Sequence, residues 1–198
     1  MEEGLKKFFS NFGIKENEIS TIQKNIYPLK ISKGEIFCKK GKVCDVIGIL
    51  LSGILFAEYS NGDKKIISRF FFLPDNLIVT SFDSFNDRTV SMESIIAHEN
   101  SYLFCIRYND LMKLYEEIPA LNKLGRILAE ISYVKALQRA HDLQTLTSKQ
   151  RLLKFKKKYE DFYYKLGRSQ VSSYLGMDDS NLRKLEREIL RGQKESGK

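Results

Sequence analysis

Apolar positions in the first 26 residues recur at helical spacing. Leu5, Phe8, Phe9 and Phe12 form one stripe, and Ile14 to Ile26 gives a second short piece, so residues 4–26 are predicted helical. From Tyr27 to Ile106 the texture changes to short apolar or alternating runs. These are Tyr27–Ile31, Ile36–Lys39, Val46–Leu51, Ile54–Tyr59, Lys64–Leu73, Leu77–Thr80, Met92–His98 and Tyr102–Ile106. Turn residues separate them: Lys33-Gly34, Lys40-Gly41, Ser52-Gly53, Asn61-Gly62 and Pro74-Asp75. Asn-Gly is the strongest short hairpin signal, because both residues tolerate positive φ. Eight short strands at regular spacing predict an antiparallel barrel or jelly roll.

After Ile106 the period becomes helical again. Asn109-Asp110 is a cap signal for a short helix reaching Ile118, and Pro119 breaks that helix and opens the next. The next one runs from about Ala120 to Leu146, with Leu124, Ile127, Leu128, Ile131 and Val134 along one face. A chain of this size has little left to cover so long a stripe. The economical partner is the same stripe of a second copy, in a two-helix seam. The competing expectation is a helix packed wholly on its own barrel. Thr147-Ser148 caps a further helix that carries Leu152, Leu153 and Phe155.

The stretch from Leu166 to Ile189 reads as two helices about a tight turn. Ser169 is the expected cap of the first, with Val171, Tyr174 and Leu175 facing inward. Gly176 supplies the left-handed residue of the turn, and Met177 fills the gap between the helices. Asp178 or Asp179 caps the second helix, whose inner face is Leu182, Leu185 and Ile189. Ser180, Arg183, Lys184 and Arg187 then lie outward. This is a helix-turn-helix pattern, in which the second helix enters the major groove. Ser180, Arg183 and Lys184 are the expected base readers. Arg168, Ser169, Gln170 and Arg187 are the expected phosphate holders, and Asp179 and Asn181 belong to the same interface at the start of the second helix.

Composition sharpens this. The net charge is +8, and residues 135–198 hold 16 Lys+Arg against 8 Asp+Glu, leaving 17 of each among residues 1–134. The whole excess sits in the last third, including the run Lys154-Phe155-Lys156-Lys157-Lys158, which fits a polyanion partner. No apolar run approaches the ~18–20 residues that cross a membrane, and the acidic start Met1-Glu2-Glu3 is unlike a signal peptide. A cytoplasmic protein without a membrane partner is therefore expected. Cys38, Cys44 and Cys105 are widely spaced without a CxxC pair, so they are expected as small buried hydrophobes rather than as a zinc site or a disulfide framework. The two histidines, His98 and His141, sit in no catalytic or metal-ligand motif, and neither GxGxxG nor GxxxxGK[ST] occurs. No catalytic residue and no metal site is expected, and an enzyme is not expected.

With these motifs in place, nearly the whole chain resembles the cyclic-AMP receptor protein/Fnr (Crp/Fnr) superfamily of transcription regulators, in particular its short, wingless members. Gly34, Gly41, Gly53 and Gly62 fall where that family's barrel turns carry glycine. Asp110 to Leu121 looks like its link into the dimerisation helix, and Val171-Ser172-Ser173-Tyr174-Leu175-Gly176-Met177 like its first reading helix and turn. The resemblance implies an α+β chain. Residues 1–118 would form an antiparallel double-stranded β-helix (jelly-roll) effector domain of the cyclic-nucleotide-binding type. Residues 119–146 would form a dimerisation helix, and 147–198 a helix-turn-helix domain. It also implies a homodimer on a near-palindromic duplex DNA site, with RNA polymerase as a further partner.

The departures from that family shape the effector expectation. The place where cyclic-AMP binders carry Gly-Glu reads Leu77-Ile78-Val79-Thr80 here. Arg88-Thr89-Val90 is similar to the phosphate-holding arginine end of the cassette, but ungapped alignment back from Ile95-Ile96-Ala97 puts Ser91 at the arginine position. Arg88, Thr89 and Ser91 are thus the candidate effector residues. Cyclic AMP is not the expected ligand: another small effector, or none, is, with Phe82 and Phe85 filling the pocket. The oxygen-sensing branch uses N-terminal cysteines, and residues 1–37 hold none, so no iron–sulfur cluster is expected. Nine residues after Ile189 are too few for a β-hairpin wing, and the bases at 154–158 and 191–198 are the expected compensation. Two other readings compete: a ligand-binding adaptor whose basic tail docks polyanions without sequence preference, and a metal-dependent jelly-roll enzyme, for which His98 alone is not a ligand set.

Overall fold

Alternation between buried and open positions turns the middle of the chain into strands, and the computed structural model describes residues 2–61, 64–72 and 75–196. Two short helices lead in, α1 (Glu2–Asn11) and α2 (Glu16–Asn25). Eight strands follow: β1 (Tyr27–Ile31), β2 (Ile36–Cys38), β3 (Val46–Ser52), β4 (Leu55–Asn61), β5 (Lys64–Phe71), β6 (Ile78–Val79), β7 (Glu93–Ala97) and β8 (Ser101–Arg107). A short helix, α3 (Phe82–Asp87), interrupts them between β6 and β7. The chain ends in α4 (Tyr108–Glu117), α5 (Pro119–Thr145), α6 (Ser148–Lys158), α7 (Glu160–Tyr163), α8 (Arg168–Tyr174) and α9 (Asp179–Ser196). The short fourth helix begins at Tyr108 with Arg107 as its N-cap, so Asn109-Asp110 lies in its first turn rather than at the cap. The expected Asn61-Gly62 hairpin turn and the Pro74 turn lie at Gly62, Asp63, Leu73 and Pro74, outside the described residues.

The strands form two four-stranded antiparallel sheets, ordered β1-β8-β3-β6 and β2-β7-β4-β5. Of the expected antiparallel barrel or jelly roll this is the two-sheet, jelly-roll form: among the described residues no strand pairing closes the sheets into a barrel. The edge strand β6 is two residues long and pairs only Gly48 with Val79 and Ile49 with Ile78. Side chains of one parity point inward, as the pleat requires. Glu93, Ile95 and Ala97 of β7, and Ser101, Leu103 and Cys105 of β8, are the buried alternates. One apolar cluster contains Leu50, Leu103 and Cys105 of the first sheet and Leu55, Ala57 and Ile95 of the second. The same cluster takes in Phe9, Ile19 and Ile22 of the N-terminal helices, Leu111 and Leu114 of α4, and Leu121 and Leu124 of α5. Each such Leu or Ile removed from water contributes ~1.5–3 kcal/mol.

The chain divides into two compact units, Met1–Tyr59 with Arg69–Tyr133, and Ser60–Ser68 with Val134–Lys198. The division passes through β5 and α5, so the end of the β4–β5 hairpin groups with the C-terminal helices. The second unit has its own core: Leu152, Phe155, Phe162, Tyr163, Val171, Leu175, Leu182 and Leu185 are buried. Phe155 is its centre, with ring centroids 5.3 Å from Tyr159, 6.3 Å from Phe162 and 5.4 Å from Tyr174. Such tilted and edge-on aromatic pairs add ~0.5–1.5 kcal/mol each beyond area burial. Thr147 starts α6 as expected, its hydroxyl accepting from the Gln150 N–H at 3.3 Å.

Candidate nucleic-acid interface and effector pocket

The turn between α8 and α9 is built from short-range hydrogen bonds. The Gly176 N–H donates to the Ser173 carbonyl at 3.1 Å and the Met177 N–H to the Ser172 carbonyl at 3.0 Å. Gly176 has φ +65°, the left-handed conformation that favours glycine, and a Cβ there would stand 2.8 Å from Leu143 Cδ2, so that methyl would have to shift. Asp178 is the cap of α9: its Oδ1 accepts from the Asn181 N–H and the Ser180 hydroxyl, both at 2.7 Å. Those two donors, the hydroxyl foremost, hold its carboxyl below the ordinary carboxylate range. Asp179 instead accepts from the Ser172 hydroxyl at 2.5 Å, which ties α8 to α9. Leu182 and Leu185 are buried, and Arg183, Lys184 and Arg187 on the opposite face are exposed. The second helix therefore presents three cations on a capped, anchored scaffold.

The first helix differs from its sequence expectation. Its N-cap is Gly167, whose N–H donates to Gln170 Oε1 at 3.1 Å, so Ser169 is the second residue of the helix rather than its cap. Gln170 is thus engaged in capping. Arg168 pairs with Glu186 at 3.2 Å, and the Tyr163 hydroxyl donates to the same carboxylate. Burial, and then Glu186, push the Tyr163 phenol up. Ser169 is exposed.

The basic run on α6 is largely engaged. Lys154 Nζ is 2.6 Å from Asp142 Oδ2, Lys156 Nζ sits 4.8 Å from the Tyr163 ring centroid, and Lys158 Nζ sits 4.7 Å from that of Tyr159.

Two positioning residues escaped the sequence reading. Arg151 donates to the carbonyls of Leu175 at 2.7 Å, Gly176 at 3.2 Å and Leu146 at 2.5 Å, and to the Ser148 hydroxyl at 3.2 Å. It fastens the α8–α9 turn to the end of α5. Arg139 donates to the carbonyl of Ser68 at 2.9 Å and lies over the Tyr174 ring at 4.1 Å. The Ile67 N–H donates to the Ser173 hydroxyl at 2.9 Å, so the hairpin end holds the last turn of α8. Partners 71 to 106 residues apart along the chain leave no local signal for such contacts.

In the sheet-bearing unit the candidate effector residues separate. Arg88 is the left-handed C-cap of α3, at φ +57°. Its guanidinium donates to Asp45 Oδ1 at 2.6 Å and to the Cys44 carbonyl at 3.1 Å, and stacks over Tyr108 at 4.1 Å. Thr89 is exposed, and its carbonyl accepts from Ser84 Oγ at 2.5 Å. Ser91 alone is buried, its hydroxyl 2.9 Å from that of Ser81. The three are not brought together as an anion site. Ser81 and Glu93 are buried beside Ser91, whose hydroxyl donates to the Glu93 carbonyl at 2.8 Å, and Glu93 is paired to Arg69; the buried Thr80 and Ser84 contact Cys44 instead. The Tyr59 phenol is raised by burial and then by Glu93, to which it hydrogen-bonds. Phe85 is buried edge-on to Tyr108 at 5.2 Å, while Phe82 is half-buried.

The apolar stripe of α5 also divides. Leu124 is 2% exposed in its own unit's core, which removes it from any seam with a second copy. Ile127 and Leu128 are half-buried, whereas Ile131 and Val134 are 46% and 63% exposed. No helix among the described residues is long and apolar enough to cross a membrane.

No family model and no curated protein matches the sequence. Solved structures match along most of the chain. CLP of Xanthomonas campestris, described as a c-di-GMP responsive global regulator, is 13% identical with TM-score 0.68, over 90% of this chain and 93% of its own. FixK2 of Bradyrhizobium japonicum is 13% identical with TM-score 0.69, over 85% and 86%. A protein of Eubacterium rectale assigned to the Crp/Fnr family of transcriptional regulators is 13% identical with TM-score 0.71, over 91% and 85%. The resemblance read from the glycines, the α4–α5 link and the α8–α9 turn is thus matched in three dimensions: this chain has the fold of the Crp/Fnr regulators.

Proposed function

We propose that the protein is a homodimeric, sequence-specific DNA-binding transcription regulator. The observation that carries this reading is α9: Leu182 and Leu185 are buried while Arg183, Lys184 and Arg187 stand exposed on a helix capped by Asp178. In this reading residues 147–198 are a helix-turn-helix domain with α9 in the major groove. Arg183 and Lys184 donate to guanine edges, Ser180 reads beside them, and Arg187 holds phosphate. Ser169 and Asn181 contact the backbone at the helix starts. Asp179, Gln170 and Arg168 hold the reading helices in place instead. Residues 119–146 pair two copies through Ile127, Ile131 and Val134, and residues 1–118 are the regulatory part. The engagement of Arg88 with Asp45 and Tyr108, and Ser91 in the arginine position, support an effector other than cyclic AMP, or none.

The test is selection of random duplex DNA by the purified protein at fixed, near-physiological salt, since phosphate contacts make affinity salt-dependent. A near-palindrome with half-sites about 34 Å apart is the expected product. Arg183→Ala/Lys184→Ala removes base contacts worth ~1–3 kcal/mol each and flattens the selected motif. Failure to enrich any site, with or without cell extract, or an unchanged motif in the double variant, overturns the reading.

A further inference from the structure

The first sheet buries a second face, away from the other sheet. On β3, Gly48 and Leu50 stand opposite the inward Cys105 and Leu103, while Ile47 and Ile49 have the other parity. The register carries that second face across the sheet: Ile47 is opposite Ile106 of β8, and Ile49 is opposite Ile78 of β6. Residues of α1, α2, α4 and α5 join these four isoleucines around a cavity of about 80 Å³. Phe9, Ile22, Leu114 and Leu124 in its wall are only 2–3% exposed, whereas Ile26, Ile78 and Leu128 are half-buried. Part of the wall is sealed, and part is reached by water.

The chemistry of the lining is uniform. Its side chains are aliphatic or aromatic, and the Tyr115 hydroxyl is the one polar side-chain group among them. That hydroxyl rests against α5 at Gly125, where a Cβ would stand 2.8 Å from Tyr115 Cζ and nearer still to the oxygen. Glycine inside a helix costs stability relative to alanine. Here it leaves the notch into which the Tyr115 ring fits. No charged side chain lines the space, so a buried charge would find no partner there. A buried water needs about two to four polar partners, which this lining does not offer. Apolar cavities lined by Leu, Ile and Phe stay dry and take small hydrocarbons. A helix of another chain, ~10–12 Å across with its side chains, is far too wide.

We propose that this cavity is a binding site for a small uncharged apolar molecule, a hydrocarbon chain or single ring of about six carbons. The site is separate from Arg88, Thr89 and Ser91, none of which lines it. Through Leu121, Leu124, Gly125 and Leu128 an occupant touches α5, the helix that carries Ile131 and Val134 outward. Its bearing on pairing of two copies rests on the dimer proposed above; the binding itself does not.

The test therefore uses no DNA. Full-length protein labelled at its Ile and Leu methyl groups is titrated with hexan-1-ol and followed by NMR. The expected result is saturating shifts, with one midpoint, at Ile22, Ile49, Ile106 and Leu124. Leu152, Leu182 and Leu185, in the core of the other unit, should stay unmoved and serve as the internal reference. Hexanoate at neutral pH should bind at least ~10-fold more weakly, because its carboxylate would lose water without gaining a partner. Ile49→Phe fills the cavity from β3 and should abolish the shifts. The absence of saturation up to the solubility of the alcohol overturns the proposal. So do equal shifts in both cores, equal binding of hexanoate, saturating shifts that persist in a folded Ile49→Phe chain, or shifts that follow protein concentration instead of the probe, which would put a second copy on the site. The comparison of the two cores within the wild-type chain decides the matter even where Ile49→Phe fails to fold.

Discussion

Arg151→Met tests whether the α8–α9 turn is held by a side chain remote in sequence. The guanidinium reaches three carbonyls and one hydroxyl, at 2.7 and 3.2 Å to Leu175 and Gly176, 2.5 Å to Leu146 and 3.2 Å to Ser148 Oγ. Hydrogen bonds to a charged group contribute ~1.5–3 kcal/mol each, but these share one cation and are not additive. The site is half-buried, so water replaces part of what is lost. Methionine keeps the apolar stem and removes the fork. The net loss is about 2 kcal/mol, or a ~30-fold rise in local opening. Amide hydrogen exchange of peptides covering 168–190 measures this directly, with α1–α4 as the internal reference. Protection in 168–190 should fall ~30-fold and that of the reference stay unchanged. Arg151→Lys should recover only part, because one ammonium cannot reproduce a planar fork bridging several acceptors. Unchanged exchange in Arg151→Met, or full recovery by lysine, would refute the reasoning.

Two further outcomes follow from the same geometry. Ile131→Asp/Val134→Asp places two carboxylates on the exposed part of the α5 stripe, so sedimentation should show a monomer in place of the dimer proposed for the parent chain; a persisting dimer would move the seam elsewhere. Burial works against the Asp142 carboxylate, but Lys154 and Gln138 outweigh it and hold its pKa below the ordinary value. Its folded pKa being depressed, the stabilisation is present above the unfolded value of ~3.9 and is lost as pH falls through the lower folded value. Lys154→Met should raise the Asp142 midpoint in a carboxyl NMR titration, and an unmoved midpoint would contradict the ion pair.

What could be read from the sequence depended on whether the relevant physics is local. The eight strands of the described residues follow from short apolar or alternating runs between turn residues, and each overlaps its expected run. Closure into a barrel did not, because alternation specifies which face is buried but not which edges pair. The four-residue α7 and six-residue α3 are too short to show a period. Ser169 was misplaced as a cap although Gly167 and Gln170, three apart, carry the capping pattern through glutamine. On α5 the helical stripe was right, but periodicity cannot tell a chain's own core from a second copy. Leu124 belongs to the first and Ile131 is open to the second.

The charge asymmetry shows the same limit from the other side. The +8 balance of the last third is a fact of the sequence, yet charge acts where it is presented. Lys154 is bound to Asp142, Lys156 and Lys158 lie on tyrosine rings, Arg168 pairs with Glu186, and Arg139 and Arg151 donate to backbone carbonyls. These cations hold the second unit together and place its turn. Arg183, Lys184 and Arg187 are exposed on one amphipathic helix whose other face is buried. A stripe of that width matches a single groove better than it matches a broad anionic surface. That contrast makes sequence-dependent recognition, rather than general adhesion to polyanions, the expectation to test first.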